Sequence, residues 1–411
     1  MRGIEVTRLV PDTPTALSLF SGCGGFDLGF RDASFSIEGA LDIDTLAIAN
    51  YRANVATHGQ VWDLSEAKLP QAYSSVDVLL AGSPCQGFST IGKRDFADPR
   101  NALLAATGEI ARNLRPKVVV AENVPGVLAG AHRQYWDALE DTLRAQGYEV
   151  QTVLLTASNY GIPQSRRRAF LLAWNTGITV DIPGFLASQE RLAPTLGELL
   201  SQIGPDAENH YPRPLVSGSA DLSISRMIAQ GQKLCDVRDG AASVHTWEIP
   251  EVFGTTTQSE RVLLHRIMKL RRQRRVRDFG DADPVPIATL IEEFGKKIVS
   301  EIATLEKKQF VRLRGDLVDL KHTFNGKYRR LNGNGISFTV DTNFGNARYF
   351  LHPTEQRGFT VREAAKIQGF PDNYVFSGPE RAQFKMIGNA VPPPLATVVA
   401  KLTRKLLGLH E

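Results

Sequence analysis

Gly82-Ser83-Pro84-Cys85-Gln86-Gly87-Phe88-Ser89 is the stretch that decides how the chain reads. It follows a short apolar run, Val76 to Ala81, whose length and composition predict a buried parallel strand. In an open α/β sheet, ligands and reacting groups gather in the loops past the carboxyl ends of the strands. A cysteine there, held between proline and a polar, glycine-containing segment, suggests an exposed nucleophile, since the thiolate is a potent nucleophile near neutral pH. Taken alone, Cys85 also fits a small buried residue in a tight turn, the usual fate of a free thiol. The neighbouring strand ends decide between the two.

Ala16 to Phe20 reads as a first strand, and Ser21-Gly22-Cys23-Gly24-Gly25-Phe26-Asp27-Leu28-Gly29-Phe30 as a glycine-rich turn into a helix. The turn is not G-x-G-x-x-G, because Asp27 stands where the third glycine would be. It suits a nucleoside cofactor without a pyrophosphate better than a dinucleotide. Ile37 to Leu41 reads as a second strand, ending in Asp42-Ile43-Asp44. An acid about 20 residues past the glycine loop is placed to accept from ribose hydroxyls, and Asp42 is closer to the strand end. Asp44 has the character of a helix N-cap. Val61-Trp62-Asp63-Leu64 repeats the arrangement at a third strand end, where Asp63 could hold an adenine amino group. Lys117 to Ala121 is the next buried strand and ends in Glu122-Asn123-Val124. Adjacent strand ends would thus bring a thiol and a carboxylate to one substrate. Between them, Gly87 to Arg100 reads as a glycine-hinged, basic loop able to close over a phosphate backbone, and Ala102 to Leu114 as a helix.

The 411 residues, 42% of them hydrophobic, allow one large domain and a smaller one. Cys23, Cys85 and Cys235 are far apart, match no metal-ligand spacing and are odd in number, which points to a reducing, intracellular setting. Met1 to Thr15 holds no apolar run long enough for a signal peptide, and no stretch approaches the roughly 20 apolar residues of a membrane span. A net charge of +4 is too mild to establish a polyanionic partner by itself.

Phe20 through Gly25, Pro84-Cys85-Gln86, Glu122-Asn123-Val124, Gln164-Ser165-Arg166-Arg167-Arg168, the segment Arg357 to Pro371, and Gly388-Asn389-Ala390-Val391-Pro392 follow one another in an order and spacing that resembles the DNA cytosine-5 methyltransferases. The resemblance implies a doubly wound α/β methyltransferase sheet that uses S-adenosylmethionine, with a second, smaller, mixed target-recognition domain. It implies that Cys85 adds to C6 of a cytosine flipped from double-stranded DNA, that Glu122 acts at N3, and that Arg166 and Arg168 surround the base. A protonated Glu122 would require a raised pKa. The implied cofactor residues are Phe20, Gly22, Gly24, Gly25, Asp42, Ile43, Asp63, Leu64, Pro84, Leu103, Asn389 and Val391, and no metal is implied. The setting implied is cytoplasmic and nucleoid-associated, without a membrane, with a cognate restriction endonuclease as a separately acting partner. Arg362-Glu363 is read as an ion pair or helix start after Thr360, with no catalytic role. Two alternatives stay open: a tRNA-methylating member of the same fold, and a DNA-binding repressor with secondary activity. A nicotinamide dehydrogenase is opposed by the glycine spacing.

The expected division is 1–180 catalytic, 181–375 target recognition, and 376–411 returning to the catalytic domain through a helix over Pro393 to Leu407. Within the recognition region, Ser259 to Arg277 reads as a basic helix packing through Val262, Leu263, Ile267, Leu270 and Val276. Ile287 to Phe294 and Lys296 to Lys308 read as two more helices, and Gly315-Asp316 as the two-residue loop of a hairpin. That order predicts a winged helix-turn-helix over 259–321. Lys296, Lys297, Lys307 and Lys308 would approach a DNA groove, and Arg312 and Arg314 would sit near phosphates.

Overall fold

The computed structural model describes residues 13–71, 73, 75–84, 102–277, 280 and 282–409. Cys85 and the basic loop through Arg100 lie outside the described residues. The chain forms two compact units, one of Met1–Asn209, Ile336–Thr342 and Val361–Glu411, the other of His210–Gly335 and Asn343–Thr360. These boundaries differ from 180 and 375, and the reason is hydrogen bonding. Arg362 Nε donates to Glu208 O (2.7 Å) and Asn209 Nδ2 to Phe376 O (2.8 Å), so both segments hold to the first unit. Ser337 N donates to Pro163 O (2.8 Å) and Ser165 N to Ser337 O (2.9 Å), stitching residues 336–342 into it as well.

The first unit is built on seven strands: β1 (Thr15–Leu19), β2 (Ser36–Asp42), β3 (Gly59–Val61), β4 (Val78–Ala81), β5 (Val118–Asn123), β6 (Glu149–Thr156) and β7 (Arg167–Trp174). Their order is β3-β2-β1-β4-β5-β7-β6. The first five are parallel, and β7 runs antiparallel to both β5 and β6. The central strands read as unbroken apolar runs because both faces are covered. Alternation then sorts the residues. Ala16, Val78, Leu80, Val118 and Val120 pack with Phe26 and Phe30 of α1 (Gly25–Asp32) and with Leu395, Val399 and Leu402 of the C-terminal helix Pro393–Leu406. Leu17, Leu19, Leu79, Val119 and Ala121 pack on the other face with Ile110 of α2 (Ala102–Leu114) and Trp136 and Leu139 of α3 (Arg133–Ala145). Burying each Leu or Val side chain stabilises by ~1.5–3 kcal/mol. The chain end therefore returns to this unit, and Gly29 makes the crossing possible: a Cβ there would lie 2.4 Å from Ala396 Cβ.

In the second unit, the helix Gln258–Gln273 starts in a capping box of Thr257 and Glu260. It is followed by Val285–Pro286, the helices Ile287–Phe294 and Ile298–Lys307, and the hairpin strands Val311–Arg314 and Leu317–Leu320. Leu317–Leu320 is central in this three-stranded sheet, with Val285–Pro286 and Val311–Arg314 on either side. Gly315, at φ 62, takes the positive φ that a II′ turn puts at its first loop position. Leu263, Ile267, Leu290, Ile302, Leu305 and Val318 share one core. The long helix ends four residues before Arg277, and its packing face departs from the expected one. Val262 and Val276 are exposed, while Leu264 and Met268 are buried. No described helix is long and apolar enough to cross a membrane.

Candidate active site

The glycine turn after β1 is shaped by backbone conformations that few side chains tolerate. Phe20 has φ 55, Gly22 φ 54 and Gly24 φ 87. A non-glycine residue in the left-handed region is strained, and such strain concentrates at ligand sites. A Cβ on Gly22 would meet nothing within 4 Å, whereas one on Gly24 would meet Val55 Cγ2 at 2.7 Å and Tyr51 Cδ2 at 2.8 Å. Gly22 therefore leaves open space, and Gly24 serves packing. Gly22 N donates to Asp42 Oδ2 (2.9 Å) and Asp44 N to Asp42 Oδ1 (2.8 Å), which fixes the carboxylate at the end of β2 against the turn. Burial pushes the Asp42 carboxyl up, and its two backbone donors oppose that. Asp44 caps the helix Thr45–Asn54 by accepting from Leu46 N and Ala47 N, and pairs with Lys385 at 3.0 Å.

These groups line a cavity of about 320 Å³ wholly within the first unit. Phe20, Gly22, Gly25, Asp42, Ile43, Pro84, Asn389 and Val391 of the expected cofactor set are on its wall. Ile43 is 67% exposed, a large apolar side chain left bare at a strand end. Gly24 lies behind the wall. Asp63, Leu64 and Leu103 do not line the cavity: Asp63 is exposed and accepts from Ser65 N (2.9 Å), and Leu64 is in the core. Trp62 N does donate to Asp42 O (2.9 Å), so the β3 end adjoins the β2 end.

The other side of the cavity carries Ser83, Pro84, Glu122 and Arg168. Ala81 pairs with Ala121 across β4 and β5, which sets Gly82–Pro84 beside Glu122. Asn123 Nδ2 donates to Ser83 Oγ (3.2 Å), fastening the segment that leads to Cys85. Glu122 is buried, and Arg168 Nε lies 2.6 Å from its Oε1. Burial raises the Glu122 pKa, and Arg168 and Arg166 pull it back only in part. Arg166 is placed differently from the expectation. It is fully buried, does not line the cavity, and donates to the carbonyls of Val340 (3.1 Å), Gly388 (3.0 Å) and Ala390 (2.8 Å). It shapes the wall that presents Asn389 and Val391. Arg362 is likewise buried and donates to Glu208 O and Tyr374 O, as befits a structural role. Cys23 also borders the cavity, but burial pushes its thiol up to about 12, so it is a poor nucleophile.

Sequence reasoning missed Ser83, Val124 and Lys385 on this wall. A lysine on a helix reads as solvated, and only the tertiary pairing with Asp44 draws Lys385 to the site.

Among the described residues, Asp239, His245 and His265 bring ligand-type atoms within 4.8 Å of one another. Two of the three are already engaged: Lys269 pairs with Asp239 (3.2 Å), and Trp247 Nε1 donates to His265 Nε2 (3.3 Å).

The C-5 cytosine-specific DNA methylase family profile matches residues 15–405. The Type II methyltransferase M.HgiCII of Herpetosiphon aurantiacus is 30% identical over 94% of this chain and 95% of its own length. The Type II methyltransferase M.AgeI of Thalassovita gelatinovora is 30% identical over 94% of this chain and 98% of its own. In fold, the chain is similar to the S. pombe Dnmt2 methyltransferase, with a TM-score of 0.53 at 16% identity, covering 96% of this chain and 98% of that one. This chain belongs to the C-5 cytosine-specific DNA methylases and is a DNA cytosine-5 methyltransferase.

Proposed function

We propose that the cavity holds S-adenosylmethionine at its glycine-turn end and the target cytosine at its Glu122–Arg168 end. The observation that carries this is that both sets of groups line one continuous cavity, with Pro84 leading directly into Cys85. The donor set fits the cofactor. Asp42 offers a carboxylate for ribose hydroxyls, Ile43, Phe20 and Val391 offer apolar surface for a base, and the volume suits a small ligand. When bound, S-adenosylmethionine supplies the methyl group.

The residues then divide the work on the cytosine. The Cys85 thiolate adds to C6, which places electron density at C5. Glu122 in its acid form donates to N3 and makes C6 electrophilic, a role that suits a carboxyl whose pKa is raised by burial. Arg168, held by Glu122 and by its own bond to Arg167 O (2.8 Å), offers a guanidinium to the carbonyl oxygen O2 of the base. Loss of the C5 proton and departure of Cys85 restore the ring. The base must leave the duplex stack first, at a cost of roughly a few kcal/mol.

The substrate we assign is double-stranded DNA with a defined recognition sequence, met in the cytoplasm at the nucleoid. Relatives named Type II methyltransferases support a cognate restriction endonuclease acting separately. The test is covalent trapping on a duplex carrying 5-fluorocytosine. The wild type should form a denaturant-stable adduct and Cys85→Ser none, while cofactor binding survives. Bisulfite sequencing of DNA from expressing cells would give the site. Normal turnover by Cys85→Ser overturns the assignment of the nucleophile, and transfer to tRNA but not to duplex DNA overturns the substrate.

A further inference from the structure

The second unit has a pocket of its own, with a volume of about 210 Å³. Arg271, Arg277, Arg312, Arg314, Asp319 and Thr323 line it. Four guanidiniums converging on one concavity would repel one another unless something holds them. Asp319, itself 4% exposed, is the holder. Its Oδ1 lies 2.6 Å from Arg271 Nε, and its Oδ2 accepts from Arg312 Nη2 (2.6 Å) and Nε (3.1 Å). Arg277 pairs with Asp283 and donates to Ala282 O (2.6 Å). Arg314, exposed at the end of a hairpin strand, makes no ion pair among the described residues.

Among the described residues, these four guanidiniums share two carboxylates, Asp319 and Asp283, and Arg314 pairs with neither. Asp278 and Asp281, nearby in sequence, lie outside the described residues. Arg271 is 4% exposed, and its Nη1 is buried without a hydrogen-bond partner among the described residues. A buried donor left unmade costs ~1–3 kcal/mol, more when it is charged, so this one marks a missing acceptor. A planar fork of donors suits the tetrahedral oxygens of a phosphate.

We propose that this pocket binds a phosphate group of the DNA backbone. The surrounding elements run helix, strand, helix, helix and hairpin, with the last strand central, which is the order of a winged helix-turn-helix. The pocket's lining includes Arg312 and Arg314 of the hairpin and Arg271 of the long helix. The third helix is the poorer candidate. Ile298–Lys307 carries Glu301 and Glu306 against one Lys307, and Lys308 is held by both carboxylate oxygens of Glu260 at 2.8 Å. Phosphate contacts add affinity without reading sequence, so this pocket would anchor the duplex and leave base recognition to other surfaces.

The inference rests on duplex DNA being the substrate, and the test separates the two. A fluorescein-labelled duplex is titrated with the full-length protein across a salt series, for the wild type, Arg314→Ala and Arg314→Lys. Arg314→Ala should weaken specific and non-specific duplexes by the same several-fold factor and shallow the salt slope by about one unit. Arg314→Lys should restore most of the slope. Because Arg314 is exposed, the melting temperature should not move. Methyl transfer at saturating DNA should persist in every variant. An unchanged slope with methylation intact overturns the phosphate site while leaving the enzyme assignment standing. Saturable calorimetric binding of inorganic phosphate, lost in Arg314→Ala while the DNA slope is unchanged, would reassign the pocket to free phosphate and overturn the backbone proposal.

Discussion

Replacing Glu122 with Gln tests the chemistry at its least replaceable point. The change is nearly isosteric, and the amide oxygen can still accept from Arg168, which now sits 2.6 Å from the carboxylate. Fold and cavity should survive. The amide nitrogen can donate a hydrogen bond but cannot hand over a proton. What disappears is the acid step, ordinarily worth 10²–10⁴-fold, or about 3–5 kcal/mol of barrier. Single-turnover transfer of a radiolabelled methyl group should fall by that factor, with cofactor affinity by calorimetry almost unchanged. The pH profile adds an independent readout. Burial raises the Glu122 pKa, so the acid form persists to higher pH than for an ordinary glutamate and is lost as pH rises through that value. Wild-type single-turnover rates should decline along that limb, and Glu122→Gln should lack it. The rival role is cofactor binding, because Glu122 shares its cavity with Asp42 and Asn389. Normal single-turnover chemistry together with a large loss of cofactor affinity would refute the reasoning and move Glu122 to that role.

Two further outcomes follow from the same cavity and the layer beneath it. Asp42→Ala should weaken S-adenosylmethionine binding by about 10- to 100-fold, since hydrogen bonds to a charged acceptor contribute ~1.5–3 kcal/mol each, and an unchanged dissociation constant would remove Asp42 from the ribose site. Asp27 is fully buried, accepts from Ser18 Oγ (2.6 Å), and has its carboxyl raised by burial from 3.8 to about 6. Between those values the folded state keeps a proton that the unfolded state has released, so its contribution to stability is present below the lower value and lost as pH rises through the higher. Asp27→Asn should therefore gain stability relative to the wild type on going from about pH 4.5 to about pH 7, by on the order of 2 kcal/mol at most. Denaturant titrations of both proteins showing a pH-independent difference would contradict this.

Local signals carried much of the first unit. The apolar runs gave β1, β2, β4 and β5 within about two residues, α2 fell on Ala102–Leu114, and the C-terminal helix was one residue from its observed end. These elements are specified by burial on both faces or by an uninterrupted helical period, which a single sequence displays. β6 and β7 went unread. β7 begins inside the arginine motif, at Arg167, so charged residues conceal its apolar run. Arg166 shows a deeper limit. It stands two residues from Arg168, and strand alternation would put both on one face. Yet its guanidinium is used by carbonyls of residues 340, 388 and 390, distant in sequence, and only Arg168 reaches the cavity. The motif identified a pair of arginines without saying which one meets a ligand.

The basic helix makes the same point in energetic terms. As a string of letters, Ser259 to Arg277 is a run of positive charge that any polyanion would attract. In the fold, half of its eight Lys and Arg side chains, Arg266, Lys269, Arg271 and Arg277, pair with carboxylates. Arg266 pairs with Glu293 (2.8 Å), Lys269 with Asp239 (3.2 Å) and Arg271 with Asp319, while Arg274 donates to Thr289 Oγ1 (2.8 Å). The more exposed of these ion pairs contribute ~0–1 kcal/mol to stability, but each carboxylate lowers the field available to a phosphate. Binding capacity therefore depends on which cations remain uncompensated and whether they converge. Helix composition cannot report that, because the neutralising carboxylates come from other segments: Asp239 from a loop before the helix, Glu293 from the next helix and Asp319 from the hairpin. The hairpin, with fewer charges in its sequence, supplies the uncompensated Arg314 and the carboxylate that keeps Arg271 and Arg312 together. A short, mixed-charge strand pair thus has a better claim to a phosphate than the arginine-rich helix beside it.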